Sequence, residues 1–210
     1  MRIVLQIGKN AETIGFATPT YFGTVKQLGM ETPRLIIVCG VPGSGKSTLA
    51  RRVVDRWGAV SFASETFADR LGAAARTSSG DLTQETITHA YSAMGAAVTA
   101  ALRFSKLVLA IGSFRALHQR TCFRNIASSI GASVTTLRIA CPVTIASKRV
   151  RLRIAEGERG PTARAIRQID AELNQATDID ATLTNDTSIE AFYRRIDALI
   201  ESLGSATRTS

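Results

Sequence analysis

Long apolar runs are missing from this 210-residue chain. None approaches the roughly 20 residues that cross a bilayer, so no membrane partner is expected. The first residues, MRIVLQIGKNAETIGF, are too short and too polar for a secretory signal. Cysteine is scarce. Cys39, Cys122 and Cys141 lie far apart, with no C-x-x-C pair and no metal-ligand spacing. They read as small packing residues of a protein kept in a reducing cytoplasm. The two histidines, His89 and His118, have no serine or cysteine nucleophile set around them and read as helix-surface residues. Between residues 105 and 191 the only aromatics are Phe114 and Phe123, which leaves that stretch without the interleaved rings that stack nucleic-acid bases. Acids are also rare in part of it: from Arg115 to Arg167 there are eleven Lys or Arg and two Glu, a difference equal to the net +9 of the whole chain. Ten of those eleven bases are arginine, which favours bidentate contact with an anionic partner such as nucleotide phosphate or nucleic acid.

What is present alternates. Apolar runs at Leu35–Cys39, Ala59–Ala63, Leu107–Ile111, Ser133–Ala140 and Ala181–Leu183 are separated by helical patterns at 46–57, 65–71, 84–104, 116–130, 143–155, 162–174 and 188–203. Strands and helices in that alternation predict an α/β fold: a three-layer, doubly wound parallel sheet of about five strands. In SIEAFYRRIDALIESL, Ile189, Phe192, Ile196, Leu199 and Leu203 form a 3.6-period stripe. Trp57 ends the first helix and reads as core, as does a Tyr91/Met94 pair on the third. TSSGDLT (77–83) and AEGERGPT (155–162) read as loops. Residues 1–29 lack a sustained period and are expected to form an extension. The domain is then 30–204, with a tail over 205–210.

The stretch GVPGSGKSTLA, Gly40 to Ala50, directly follows the first apolar run. Its G-x-x-x-x-G-K-S spacing is that of a phosphate loop. Glycines at 40, 43 and 45 allow positive φ and let backbone N–H groups approach oxygen, while the helix starting near Lys46 aims its positive end at the same anion. Lys46 is expected at the β- and γ-phosphates of ATP and Ser47 at Mg²⁺, with Ser44 and Thr48 completing the loop.

Ligands of such sheets lie at the carboxyl ends of the strands. Glu65 stands at the end of the second strand as candidate general base, and Asp69 lies one turn on. The third strand, KLVLAIGSFR, ends without an acid and offers Gly112 and Ser113. After the fourth, CPVTIASKRVRLRIAEGERGPT places Arg149 and Arg153 on one helix face ahead of a glycine-rich loop, a candidate lid near 148–162. Asn185, at the end of the fifth strand, is a candidate contact for adenine.

From Arg34 to Leu203 the chain resembles the small P-loop kinases, the AAA_33-type kinases related to polynucleotide 5′-hydroxyl kinase, zeta toxins and nucleotide kinases. The phosphate loop carries the resemblance. Where that family has Ser-Ser-Asp-x-x-Arg after strand two, this chain has Ala63-Ser64-Glu65-Thr66-Phe67-Ala68, so Glu65 stands for the Asp base and the arginine is replaced, if at all, by Arg70. The lid's two arginines match Arg149 and Arg153, and LTNDTS resembles the last strand of dephospho-coenzyme A kinase. The resemblance implies an ATP- and Mg²⁺-dependent transfer of phosphoryl to a hydroxyl of a small molecule or nucleotide. Two alternatives stay open. The basic 115–167 segment suits a kinase of polynucleotide 5′ ends, and the missing acid after strand three suits an ATP-binding regulator without turnover.

Overall fold

Six consecutive residues of the first strand, Arg34-Leu-Ile-Ile-Val-Cys39, are buried. A strand reads that way only when both faces of its sheet are covered. The structure, a computed structural model, describes residues 32–71, 82–158 and 160–205. The extension expected over 1–29, most of the 77–83 loop, Arg159 of the basic segment and nearly all of the tail expected over 205–210 fall outside those residues.

The elements run β1 (Arg34–Cys39), α1 (Lys46–Trp57), β2 (Val60–Ala63), α2 (Ser64–Asp69), α3 (Gln84–Leu102), β3 (Leu107–Ile111), α4 (Leu117–Ser129), β4 (Ser133–Ala140), α5 (Val143–Ala155), α6 (Ala163–Asn174), β5 (Ala181–Thr184) and α7 (Ile189–Ser205). The strands pair in the order β2-β3-β1-β4-β5, all parallel, with Ile36 of β1 opposite Leu109 and Thr135. This is the doubly wound three-layer sheet that the alternation predicted.

Alternate residues of β1 feed two cores, as the period of two along a strand requires. Leu35, Ile37 and Cys39 face α3, α4, α5 and α6 through Met94, Val98, Phe123, Val150 and Ile166. Ile36 and Val38 face α1 and α7 through Leu49, Val53, Trp57, Phe192 and Ile196. Each fully buried side chain of this size contributes about 1.5–3 kcal/mol, which fixes the sheet and so the line of strand ends.

The α7 stripe needs one correction. Phe192, Ile196 and Ile200 are buried, but Ile189 is 44% exposed and stands outside the core beside the phosphate loop. It is the first residue of α7, where the helix opens beside the groove. No helix among the described residues is long and apolar enough to cross a membrane.

Candidate active site

The phosphate loop bridges the carboxyl end of β1 and the first turn of α1. Gly45 precedes the helix at φ 105° and supplies no side-chain cap, and the first turn carries no acid. The leading N–H groups of α1 therefore keep their donors for an outside acceptor. Gly43 has φ 83°, and a Cβ there would lie 2.5 Å from the Ala146 carbonyl oxygen of α5. Only glycine passes both tests at that position.

Lys46 Nζ donates to the carbonyl oxygens of Gly40 at 3.0 Å and Val41 at 2.8 Å, so the ammonium is held inside the curl of the loop. Burial pushes it down to about 8 against the pull of Glu65, which favours the charged form. Ser47 is exposed and lines the groove, and Thr48 is half-buried beside it. These residues suit a polyphosphate with its metal: uncapped amides, one ammonium and one hydroxyl residue border one groove, on a backbone packed too closely at Gly43 and Gly45 for a side chain.

Two expected loop contributors stand behind the cradle instead. Gly40 is buried with the Ile139 carbonyl 2.7 Å from where a Cβ would be, and Ser44 is fully buried, its Oγ without a partner. Neither lines the groove, because the chain leaves the sheet at Gly40 and turns Ser44 inward. Asn185 has a second task. Its Nδ2 donates to the Ser44 carbonyl at 2.7 Å and so braces the loop, while the residue, 5% exposed, remains in the lining of the groove.

Two hollows meet at this loop. A groove of about 650 Å³ runs past Gly43, Gly45, Ser47 and Thr48 toward Arg149, Leu152 and Ile189. A second cavity of about 690 Å³ lies between α2, α3 and α6, walled by Asp69, Ile87, Tyr91, Ser113, Arg115 and Ile169. Lys46, Ser64, Glu65, Arg153 and Glu158 line both. Arg149 Nη1 donates to the Gly43 carbonyl at 3.2 Å, and Arg153 Nη1 stands 3.7 Å from Glu158 Oε2. The four candidate catalytic residues, Lys46, Glu65, Arg149 and Arg153, thus line one groove.

The floor beneath is set by the turn after β3. Phe114 has φ 43°, the one positive value at a non-glycine among the described residues. It is fully buried, with edge contacts to Tyr91 and Phe123 at centroid distances of 4.9 and 5.0 Å. Tyr91 Oη accepts the Phe114 N–H at 2.9 Å and lies 3.4 Å from Ser113 Oγ, and burial raises its phenol above the ordinary value. Sequence reasoning assigned Tyr91 to packing along with Met94. Met94 is core, but Tyr91 also lines the second cavity. No local pattern marks it, because its partners come from the end of another strand.

The basic segment looks different in space. Arg120 pairs with Asp178 and Arg124 with Asp180, both at 2.7 Å, and Arg138 with Asp170 at 3.1 Å. Arg115 approaches Glu172 at 3.5 Å. The neutralising acids lie at 170–180, just past the counted window, so much of the sequence charge is spent inside the fold. Burial pushes the Cys39 thiol up to about 11, and Cys141 rises for the same reason, which keeps both as inert packing groups. His89 and His118 are exposed on their helices.

A parallel sheet with a phosphate loop at the end of its central strand defines a P-loop α/β protein. The AAA_33 family model, an AAA domain, matches residues 35–177, and the chain belongs to that family. β5 and α7 continue the same sheet and core beyond the matched segment. Solved structures share the fold. A gluconokinase from Sinorhizobium meliloti 1021 aligns with TM-score 0.60 and 17% identity, covering 83% of this chain and 95% of that one. A sugar kinase from Janibacter sp. HTCC2649 gives 0.59 and 17%, with 83% and 97% covered. The APS kinase of Mycobacterium tuberculosis, in complex with AMPPNP and APS, gives 0.58 and 17%, with 81% and 98% covered. No curated protein sequence matches the chain.

Proposed function

We propose that the protein is an ATP-dependent kinase that moves the γ-phosphoryl group to a hydroxyl of a small molecule or nucleotide. The observation that carries this reading is the junction: the phosphate-loop groove and a second cavity share Lys46, Glu65 and Arg153. A hydrolase needs room for water there, whereas a second cavity of about 690 Å³ suits an organic acceptor. The APS kinase of similar fold was solved with two ligands together, AMPPNP and APS, which agrees with two hollows.

In this reading the uncapped first turn of α1 and Lys46 hold the polyphosphate of ATP, with the Ser47 hydroxyl on its Mg²⁺. The metal, when bound, neutralises charge on the β- and γ-phosphates. An acceptor hydroxyl in the second cavity forms a new P–O bond as the bond to the β-phosphate oxygen breaks and ADP departs. Glu65 takes the hydroxyl proton. Arg153 and Lys46 stay beside the moving charge, and Arg149 tethers α5 to the loop through the Gly43 carbonyl. The α5–α6 hairpin with its 156–162 connection acts as the lid, closing water out as a competing acceptor.

Mg-ATP with a panel of sugars, nucleosides and cofactors tests this, read as acceptor-dependent ADP. Glu65→Gln should lower kcat about 10²- to 10⁴-fold while leaving the KM for ATP near wild type. Tight ATP binding with no acceptor-dependent ADP and no effect of Glu65→Gln would instead establish the regulator reading, to which the missing acid points when the chain is read as sequence alone. The polynucleotide reading is weakened by Phe114 and Phe123, 0% and 1% exposed, which offer no stacking surface.

A further inference from the structure

Among the four arginines that meet the acids of 170–180, Arg115 differs in two ways. The other three close on their carboxylates at 2.7–3.1 Å, but the closest approach of Arg115, Nε to Glu172 Oε2, is 3.5 Å. A charge-assisted N–H···O bond is about 2.7–2.9 Å, so this guanidinium is steered by Glu172 without being locked to it. Arg115 also lines the second cavity, where Glu172 does not, and it takes no part in the phosphate-loop groove. Lys46 and Arg153 border both hollows and are accounted for by the phosphates of ATP. Arg115 is not.

The backbone that presents it is fixed on three sides. Arg120, 2% exposed and bound to Asp178, donates through Nη1 to the carbonyls of Phe114 at 2.6 Å and Arg115 at 2.9 Å. Tyr91 Oη takes the Phe114 N–H. Those bonds hold Phe114 at φ 43°. A buried phenylalanine in left-handed geometry costs energy that the surrounding bonds must offset. The turn therefore sets Ser113 and Arg115 at the cavity in one arrangement. Behind Arg115, Glu172 is itself held by Gln168 Nε2 at 3.0 Å. The same hollow is lined by Ile87, Ala90 and Ile169, apolar surface suited to a carbon frame.

We infer that the second cavity accepts an alcohol that also carries an anionic group, phosphate, sulfate or carboxylate, with Arg115 gripping the anion while the hydroxyl meets Glu65. This rests on the kinase reading above. It accounts for a preorganised planar fork in a cavity whose acids, Glu65, Asp69 and Glu158, face three cations, Lys46, Arg153 and Arg115, of which only Arg115 stands away from the phosphate-loop groove.

Calorimetry on the full chain with MgADP already bound provides the test, because the phosphate loop is then filled. The probes are matched sets: glucose, glucose 6-phosphate and gluconate; adenosine and AMP; glycerol, glycerol 3-phosphate and glycerate. At least one anionic member should bind tenfold or more tightly than its neutral counterpart. Arg115→Ala should remove that advantage and Arg115→Lys should restore part of it, with MgADP affinity in each variant reporting intact fold. The phosphate and carboxylate arms separate the two anion classes. With Mg-ATP, the same loss should appear in the acceptor KM more than in kcat. Neutral alcohols binding as well as their anionic partners, or Arg115→Ala leaving the anionic ones untouched, would overturn the inference. So would MgADP binding with no anionic probe bound, an outcome that leaves the kinase reading standing. Failure of MgADP itself to bind would remove the kinase reading and this one with it.

Discussion

Lys46 connects the fold to a measurable proton. Its ammonium is held at about 8 by burial, opposed by Glu65 and Cys39 and assisted by Arg153. A polyphosphate in the loop adds several negative charges beside it and raises its pKa well above that of the free protein. A terminal phosphate with its second pKa near 6 is fully ionised above pH 8, so Lys46 is the group that must change. Nucleotide binding above pH 8 then takes up a proton, and affinity falls as pH rises. The loss approaches one factor of ten per pH unit, about 1.4 kcal/mol, so affinity at pH 9 should be roughly tenfold below the neutral plateau. Titration calorimetry in two buffers of different ionisation enthalpy reads the proton directly: close to one per nucleotide at pH 9 and close to none at pH 7. Stability of the nucleotide-free protein moves in the opposite sense. The folded value lies below the unfolded one, the unfolded chain binds more protons between about 8 and 10.5, and stability rises across that window. Lys46→Met should flatten both curves. Constant affinity from pH 7 to 10 with no buffer-dependent heat would refute the burial of this ammonium.

Asp178→Ala should destabilise the protein by about 3 kcal/mol, the low end for stranding a buried charge because Asp178 keeps some solvent contact; urea unfolding checks it. Arg120 holds the Asp178 carboxyl below its ordinary value, so this pair contributes fully above pH 3.8 and is lost as pH falls through the depressed value. Asn185→Ala removes the brace on the Ser44 carbonyl and should weaken nucleotide binding by about 1–2 kcal/mol, seen with a fluorescent nucleotide. An unchanged affinity would mean that the loop holds its shape without the brace. Gly112→Ala sets a methyl 2.5 Å from Tyr91 Oη and 3.1 Å from Ser64 Oγ, costing about 1–3 kcal/mol, and a double-mutant cycle with Tyr91→Phe should show coupling between the two sites.

The fold was legible because its signals are local. Strands covered on both faces read as apolar runs, helices read by their 3.6 period, and the phosphate loop is complete within eight residues. The placement of Glu65 at the two hollows was legible for a similar reason, since ligand clefts of parallel sheets open at the strand ends. The place of Asn185 beside the loop was legible too, but the bond it makes there was not, because its partner, Ser44, is 141 residues away. The arginines misled for a like reason. Arg120, Arg124 and Arg138 find their acids 32 to 58 residues downstream, a distance at which a charge count along the chain says nothing about pairing.

The end of β3 shows how an absence in sequence can be a presence in space. Read along the chain, Ile111-Gly112-Ser113 simply lacks an acid, which suits a decayed site. In the fold, a side chain at 112 has no room, because its first carbon would meet the Tyr91 hydroxyl at 2.5 Å. That hydroxyl is engaged by the Phe114 N–H and stands beside Ser113. A site that had merely lost its acid would keep the space the acid once filled. Here the space is taken by a tyrosine that fixes the turn carrying Ser113 and Arg115 to the cavity. The missing carboxylate and the ordered turn are therefore one arrangement, and they favour a rebuilt acceptor side over a nucleotide binder that has ceased to turn over.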